Sequence, residues 1–389
     1  MKSNHRAIIQ LMKSAITRQP EKLPEDFDLA SQLELLKPHH MFPLIYDGAI
    51  RCGISRTAPV MQQLFPVYYK AMQKSDGQQR QIRRLREAFR QAEIDHMLLK
   101  GSRMKDLYPA PELRYMGDAD ILIREGQYEK IQVIMEELGY RFCQESDHEL
   151  IWRHPELMVE LHKHLIPSYN KDFYSHFGKG WQLAEAYEGS EYRMRQEDEW
   201  IFLFTHFTKH YRDGGIGCRY VADLWVWRRA HPRMDENYIR GVLEKIQLDT
   251  FYDHILGLID YWFEDGAGAP VLDVITEFIF ASGSWGQEET KVLSGAIRDA
   301  KHSVLGFSSR LMYLWKIAFP SVVNLRNKYK VLNKAPWLLP LVWLYRPFYK
   351  ILFERRDLQR KSEHLETMSK ENIRLHRQML NLVGLDYNF

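Results

Sequence analysis

The sequence predicts an α+β protein in which a small mixed β-sheet core is embedded in a mainly α-helical chain. Two patterns carry this reading. Apolar residues recur at helical intervals before residue 93 and again after about 195, whereas residues 94–165 hold short β-rich runs around one amphipathic helix. At 389 residues, 45% apolar and 27% charged, the chain has a folded protein's composition and the length for two or three compact units. Lys plus Arg total 54 against 51 Asp plus Glu, so net charge gives no argument for nucleic acid as a partner.

Residues 1–93 read as a helical region. AIIQLMKSAI and DLASQLELLKPHHMFPLIYDGAI come first, and from Met61 to Ala92 apolar residues return at helical spacing among Gln, Arg and Lys. Residues 94–165 read as the α+β core, with strand-like HMLLKG, DADILI, YRFCQ, ELIWRH and LMVELHKH, and a helix in QYEKIQVIMEELGY that stops at Gly139. Residues 166–300 read as a helical domain. It contains EDEWIFLFTHFTKHYRD, a break at Asp213-Gly214-Gly215, CRYVADLWVWRRAH ending at Pro232, and three further helices.

Residues 301–389 read as a basic, aromatic, helical C-terminal region. Residues 301–353 contain no Asp or Glu, while Lys301, Arg310, Lys316, Arg326, Lys328, Lys330, Lys334, Arg346 and Lys350 lie among Trp315, Tyr329, Trp337, Trp343, Tyr345 and Phe348. Such a stretch suits a packed tail with snorkelling cations, an anionic membrane surface, or single-stranded nucleic acid, the last being the least expected. Its longest apolar run, PWLLPLVWLYRPF, is too short to span a bilayer and is interrupted by Pro340. The N-terminus shows no secretory cleavage pattern. Cys52, Cys143 and Cys218 are far apart without CxxC spacing, so the expectation is a cytoplasmic protein, with peripheral contact to the inner membrane surface as a further option.

The chemistry concentrates in LLKGSRMKDLYPAPELRYMGDADILI, Leu98 to Ile123. On a strand, Asp118, Asp120 and Leu122 share one face, and Ala119, Ile121 and Ile123 share the other. Two carboxylates held this close repel unless a cation satisfies both, and oxygen ligands of this kind suit Mg²⁺. Glu160, mid-strand in LMVELHKH, supplies a third carboxylate if that strand lies beside DADILI. Gly101 and Ser102, after a strand ending at Lys100, open a helical turn of the kind that receives phosphate. Taken singly, Ser102 also suits an N-cap, Asp118 a turn after Gly117, and Glu160 an exposed strand position.

In combination these residues resemble the nucleotidyltransferase superfamily related to DNA polymerase beta: an apolar strand, Gly-Ser, a gap, Asp-x-Asp in a second strand, and a later acidic residue in a third. KGSRMKDLYPAPELRYMGDADILI followed by GY and VELH is more closely similar to a family of mostly uncharacterised bacterial nucleotidyltransferases. LKPHHMFPLIYDGAI, HFTKH and RYVADL extend a weaker likeness over most of the chain.

The resemblance implies a nucleotidyltransferase fold. It also implies divalent metals (Mg²⁺ or Mn²⁺) on Asp118, Asp120 and Glu160, and the phosphates of an NTP, expected to be ATP, on Gly101 and Ser102. Lys100 and Arg114 become candidates for neutralising phosphate charge. The implied reaction is transfer of a nucleoside monophosphate to a hydroxyl of a small-molecule, glycan or protein acceptor. Phosphoryl transfer from the same site, and a non-catalytic nucleotide-binding or interaction module, are the alternatives.

His162, on the Glu160 face, is a candidate supporting residue. His206 and His210 stand i, i+4 in HFTKH without the glutamate of HExxH, which argues against zinc. Polar contact between this helix and the site, involving Lys209, His210, Arg219 and Asp223, is the expectation instead.

Overall fold

The protein is described by a computed structural model covering residues 1–146, 148–166, 171–284, 286, 288–301, 319–320, 322–325, 329, 331–353 and 369–385. The chain forms two compact units. The larger runs over Met1–Tyr211 and Ile216–Trp285, the smaller over Arg212–Gly215 and Gly286–Tyr387.

The larger unit is α+β. Its longer helices are α1 (Ser3–Thr17), α2 (Phe42–Arg51), α3 (Pro59–Gln91), α4 (Tyr128–Glu137), α5 (Gln196–Asp213, whose last two residues fall in the smaller unit), α6 (Cys218–Ala230), α7 (Glu236–Lys245), α8 (Asp249–Phe263) and α9 (Pro270–Ser282). Strands β1 (His96–Leu98), β2 (Asp118–Ile123), β3 (Arg141–Glu145), β4 (Glu149–Arg153), β5 (Met158–His162), β6 (Ala184–Glu188) and β7 (Glu191–Met194) form one sheet in the order β3-β4-β5-β2-β1-β7-β6. The five strands expected between residues 94 and 165 are present.

Strands β6 and β7 extend the sheet beyond that region, β7 pairing with β1 through His96 and Glu191. Their sequences, AEAYE and EYRM, are short and rich in glutamate, and lack the β-branched alternation that marks a strand. Pairing with an existing sheet edge, rather than local preference, holds them.

Alternation along β2 and β5 sorts the two faces of the sheet. Ala119, Ile121, Ile123, Val159 and Leu161 are buried in one cluster with Leu85 and Phe89 of α3 and Ile131 and Met135 of α4. Removing each of the larger side chains from water contributes about 1.5–3 kcal/mol. The opposite face must then carry Asp118, Asp120, Glu160 and His162. A one-residue slip would drive those carboxylates into the apolar cluster, so packing under the sheet fixes the register of the polar face above it.

α3 also braces the approach to β2 with buried polar groups. Gln78 Nε2 donates to the Met116 carbonyl at 2.9 Å, and Lys105 Nζ donates to Ser75 Oγ at 2.8 Å.

The smaller unit contains α10 (Glu288–Lys301), α11 (Leu339–Phe353) and α12 (Lys370–Leu382). Leu325, Leu332 and Val342 form a small core there. None of the described helices is long and apolar enough to cross a membrane. Of the basic and aromatic positions singled out in this region, Arg310, Trp315, Lys316, Arg326, Lys328 and Lys330 lie outside the described residues, as do the side chains of Lys301, Phe348 and Lys350.

Candidate active site

β2 and β5 run parallel with Asp120 opposite Glu160 and Leu122 opposite His162. Since like faces meet in such a pair, Asp118, Asp120, Glu160 and His162 rise from one side of two adjacent strands. β1 flanks β2 on its other edge, with Leu98 opposite Ile121 and the Leu99 N–H donating to the Asp120 carbonyl at 3.0 Å. This delivers Lys100 to the same place, where its ammonium lies 2.9 Å from Asp120 Oδ1. Phe202 of α5 stands over that ammonium at 5.7 Å from the ring centre.

Lys100 adopts φ +44° and ψ −113°, a conformation that L side chains avoid and that costs on the order of 1–3 kcal/mol. The ion pair to Asp120 and the strand hydrogen bond just before it hold the residue there. Strain of this kind persists where surrounding structure over-determines it, and here it sits at the carboxylate cluster.

The carboxylates are held in different electrostatic states. Burial alone would raise Asp120, but Lys100 and His162 outweigh it and hold the carboxyl well below its usual range. Burial, then repulsion from Asp120, raises Asp118. Burial, with repulsion from Asp120, Asp118 and Glu149, pushes Glu160 up to about 8. The same carboxylates overcome the cost of burial at Lys100 and raise its ammonium. One lysine therefore faces three acids, and the repulsion it does not offset falls on Asp118 and Glu160, whose protonated forms are favoured.

Donor atoms of Asp120, Glu160 and His162 lie within 4.8 Å of one another. Two carboxylates and an imidazole this close can hold a divalent cation, which would relieve the repulsion that raises Glu160 and Asp118; Asp118 shares the face but lies outside that close group.

His162 Nε2 lies 2.8 Å from Asp120 Oδ1, and its Nδ1 lies 3.0 Å from His148 Nε2. A carboxylate only accepts, so Nε2–H of His162 donates to Asp120. In the neutral ring Nδ1 then accepts from Nε2–H of His148. Burial, then His162 and Lys100, pushes His148 down to about 3, which keeps it neutral and able to play that part. His148 was not singled out from the sequence: it occupies a polar turn before β4, where no periodic signal marks it.

The remaining candidates are placed as follows. Gly101 and Ser102 begin the helical turn Gly101–Met104, and both are buried. The Ser102 hydroxyl faces the Met116 sulfur at 4.0 Å, and the Ser102 and Arg103 amides bond to the Leu99 and Lys100 carbonyls. A side chain at Gly101 would meet Arg114 Nη1 at 2.6 Å, so the glycine admits the guanidinium. Arg114 itself makes a fork to Asp223 of α6, Nη2 to Oδ2 at 2.8 Å and Nε to Oδ1 at 3.3 Å, and Tyr108 donates its hydroxyl to the same carboxylate at 2.9 Å.

Arg219 Nη1 donates to the Tyr115 carbonyl at 3.2 Å. His206 and His210 meet edge to face at 4.4 Å, and both rings contact Tyr220. Burial, then Lys100 and His210, holds His206 far below its ordinary value. The Lys209 charge contributes to the lowering of both His206 and His148. α5 thus brings Phe202 over the Lys100 ammonium, while the charge of Lys209 acts on His206 and on His148.

Residues 25–264 match the model of a family described as "uncharacterised nucleotidyltransferase", a span that holds the sheet, every candidate site residue and helices α5 to α8. No curated protein matches the chain, and no solved structure does. With well over half of its residues inside the family match and the carboxylate face at its centre, the chain belongs to the uncharacterised nucleotidyltransferase family.

Proposed function

We propose that the protein is a divalent-metal-dependent enzyme of the superfamily related to DNA polymerase beta. It transfers a nucleoside monophosphate from an NTP, with ATP the expected donor, to a hydroxyl of a small molecule, glycan or protein. The observation that carries this reading is the parallel pairing of Asp120 with Glu160, with Asp118 on the same face and Lys100 against Asp120.

Asp118, Asp120 and Glu160 would hold Mg²⁺ or Mn²⁺, and bound ions would supply charge neutralisation for the triphosphate and activation of the acceptor hydroxyl. His162 fixes the Asp120 carboxylate by donating to it, and His148 fixes His162 by donating in turn. Lys100 brings a cation to the rim of the cluster, where it serves phosphate oxygens, with Gly101 and Ser102 forming the turn beneath. Arg114 lies behind that turn, its charge met by Asp223.

In the reaction an acceptor oxygen bonds to the α-phosphorus, the bond from the α-phosphorus to the bridging oxygen breaks, pyrophosphate departs, and the acceptor proton is lost to solvent. Terminal phosphoryl transfer would use the same residues, so position of label decides between the two.

The test is incubation with NTPs labelled at either the α or the γ phosphate, Mg²⁺ and a cell extract. Movement of the α label to an acceptor, abolished in folded Asp118→Asn and Asp120→Asn variants, supports nucleotidyl transfer. Movement of the γ label supports the phosphoryl reading, and undiminished turnover in both variants overturns the site.

A further inference from the structure

α11 and the turn before it carry two opposed apolar faces. Val342 lies in the small core with Leu325 and Leu332, and Leu338, Leu339 and Trp343 pack against it. Trp337, Leu341, Leu344 and Tyr345 point the other way and are 76%, 61%, 69% and 53% exposed. Their i, i+4, i+7, i+8 spacing gathers them into one stripe. A contiguous outward stripe of Trp, Leu and Tyr is the mark of a surface that meets something less polar than water.

Charge identifies what that is. Residues 301–353 contain nine Lys and Arg and not one Asp or Glu, and of these the exposed Lys334 and the half-buried Arg346 flank the stripe on either side in the described chain. Two copies of so basic a segment repel one another, which disfavours self-association. Leucines are poor platforms for bases, whereas single-stranded nucleic acid is held chiefly by aromatic stacking. An anionic lipid surface satisfies every part of the pattern: cations for the headgroups, leucines for the acyl boundary, and Trp and Tyr for the interface between. No described helix is long and apolar enough to cross a bilayer, so α11 would lie in the plane of the surface.

We propose that the outer face of α11, through Trp337, Leu341 and Leu344, docks the protein on anionic membranes.

The experiment is flotation of the full-length protein with vesicles of phosphatidylcholine alone or of phosphatidylcholine with phosphatidylglycerol. The wild type should float with the anionic vesicles, far less with the neutral ones, and be released as salt rises. A Trp337→Glu, Leu344→Glu double variant should lose about tenfold or more in partitioning, because two exposed side chains no longer enter the lipid. Its circular dichroism and melting midpoint should be unchanged. Trp337→Gln and Leu344→Gln, made singly, should give smaller losses in the same direction and serve where the double variant is poorly soluble. Failure of the wild type to float, flotation of the variants like wild type, a wild-type dimer that the double variant dissociates, or tighter binding to a single-stranded oligonucleotide than to vesicles would each overturn the proposal.

Discussion

Replacing Asp223 with Leu should destabilise the larger unit by about 3–5 kcal/mol, the cost of removing one partner from a buried ion pair. The side chains of Arg114 and Asp223 are only 8% and 5% exposed, and the carboxylate accepts both prongs of the guanidinium and the Tyr108 hydroxyl. Its loss strands a buried cation and a buried phenol, and unmade charge-assisted bonds of this kind are worth about 1.5–3 kcal/mol each.

Arg114→Met alone should also be costly, because Asp223 is then left buried and unbalanced. The double variant Arg114→Met, Asp223→Leu removes both charges and should return to within about 2 kcal/mol of wild type, giving a coupling of roughly 4 kcal/mol or more in a double-mutant cycle. Urea unfolding followed by tryptophan fluorescence and far-ultraviolet circular dichroism measures all four proteins. A coupling below about 0.5 kcal/mol, with Arg114→Met fully stable yet deficient in NTP turnover, would refute the reasoning and give Arg114 to the substrate phosphates instead.

Three further outcomes follow from the same geometry. Lys100→Gly should be about 1 kcal/mol more stable than Lys100→Met in urea, because both lose the ion pair but only glycine accepts a φ of +44° without strain; equal midpoints would show that the backbone there is relaxed. Gly101→Ala should cost about 1–3 kcal/mol by overpacking against Arg114 and Met116, and less in an Arg114→Met background, read as melting midpoints. Burial pushes His39 down to about 4, while its Nε2–H donates to the Phe280 carbonyl and its Nδ1 accepts from the Cys218 amide. The unfolded chain takes up that proton more readily, so stability should fall as pH drops from about 6.5 toward 4, by up to about 3 kcal/mol, and be restored as pH rises. His39→Gln should flatten that slope, and an unchanged slope would place the acid sensitivity elsewhere.

Much of the larger unit is readable in sequence because its elements repeat with their own periods. In DADILI the two aspartates fall at alternate positions, and the strand delivers them to a polar face above one buried on α3 and α4. The pairing of Asp120 with Glu160 is another matter: two parallel strands set it across 40 positions, and only the packing beneath the sheet selects the register. β6 and β7 escaped notice because a sheet edge, not their composition, makes them strands.

The Arg114–Asp223 fork joins residues 109 positions apart, so both stood out only as separate polar residues near the site. His148 lies in a turn, where a histidine carries no pattern until His162 is found beside it. The strain at Lys100 runs against backbone preference and is visible only in the folded chain.

The most direct test of the carboxylate site is Mn²⁺ binding, followed by the electron paramagnetic resonance signal of the free ion, with and without a non-hydrolysable NTP. Wild-type protein should bind the ion, more tightly with nucleotide present, and Asp118→Asn, Asp120→Asn and Glu160→Gln should each weaken that binding sharply while remaining folded. Mn²⁺ and nucleotide binding that is the same in all three variants as in wild type would contradict a metal site built from these residues.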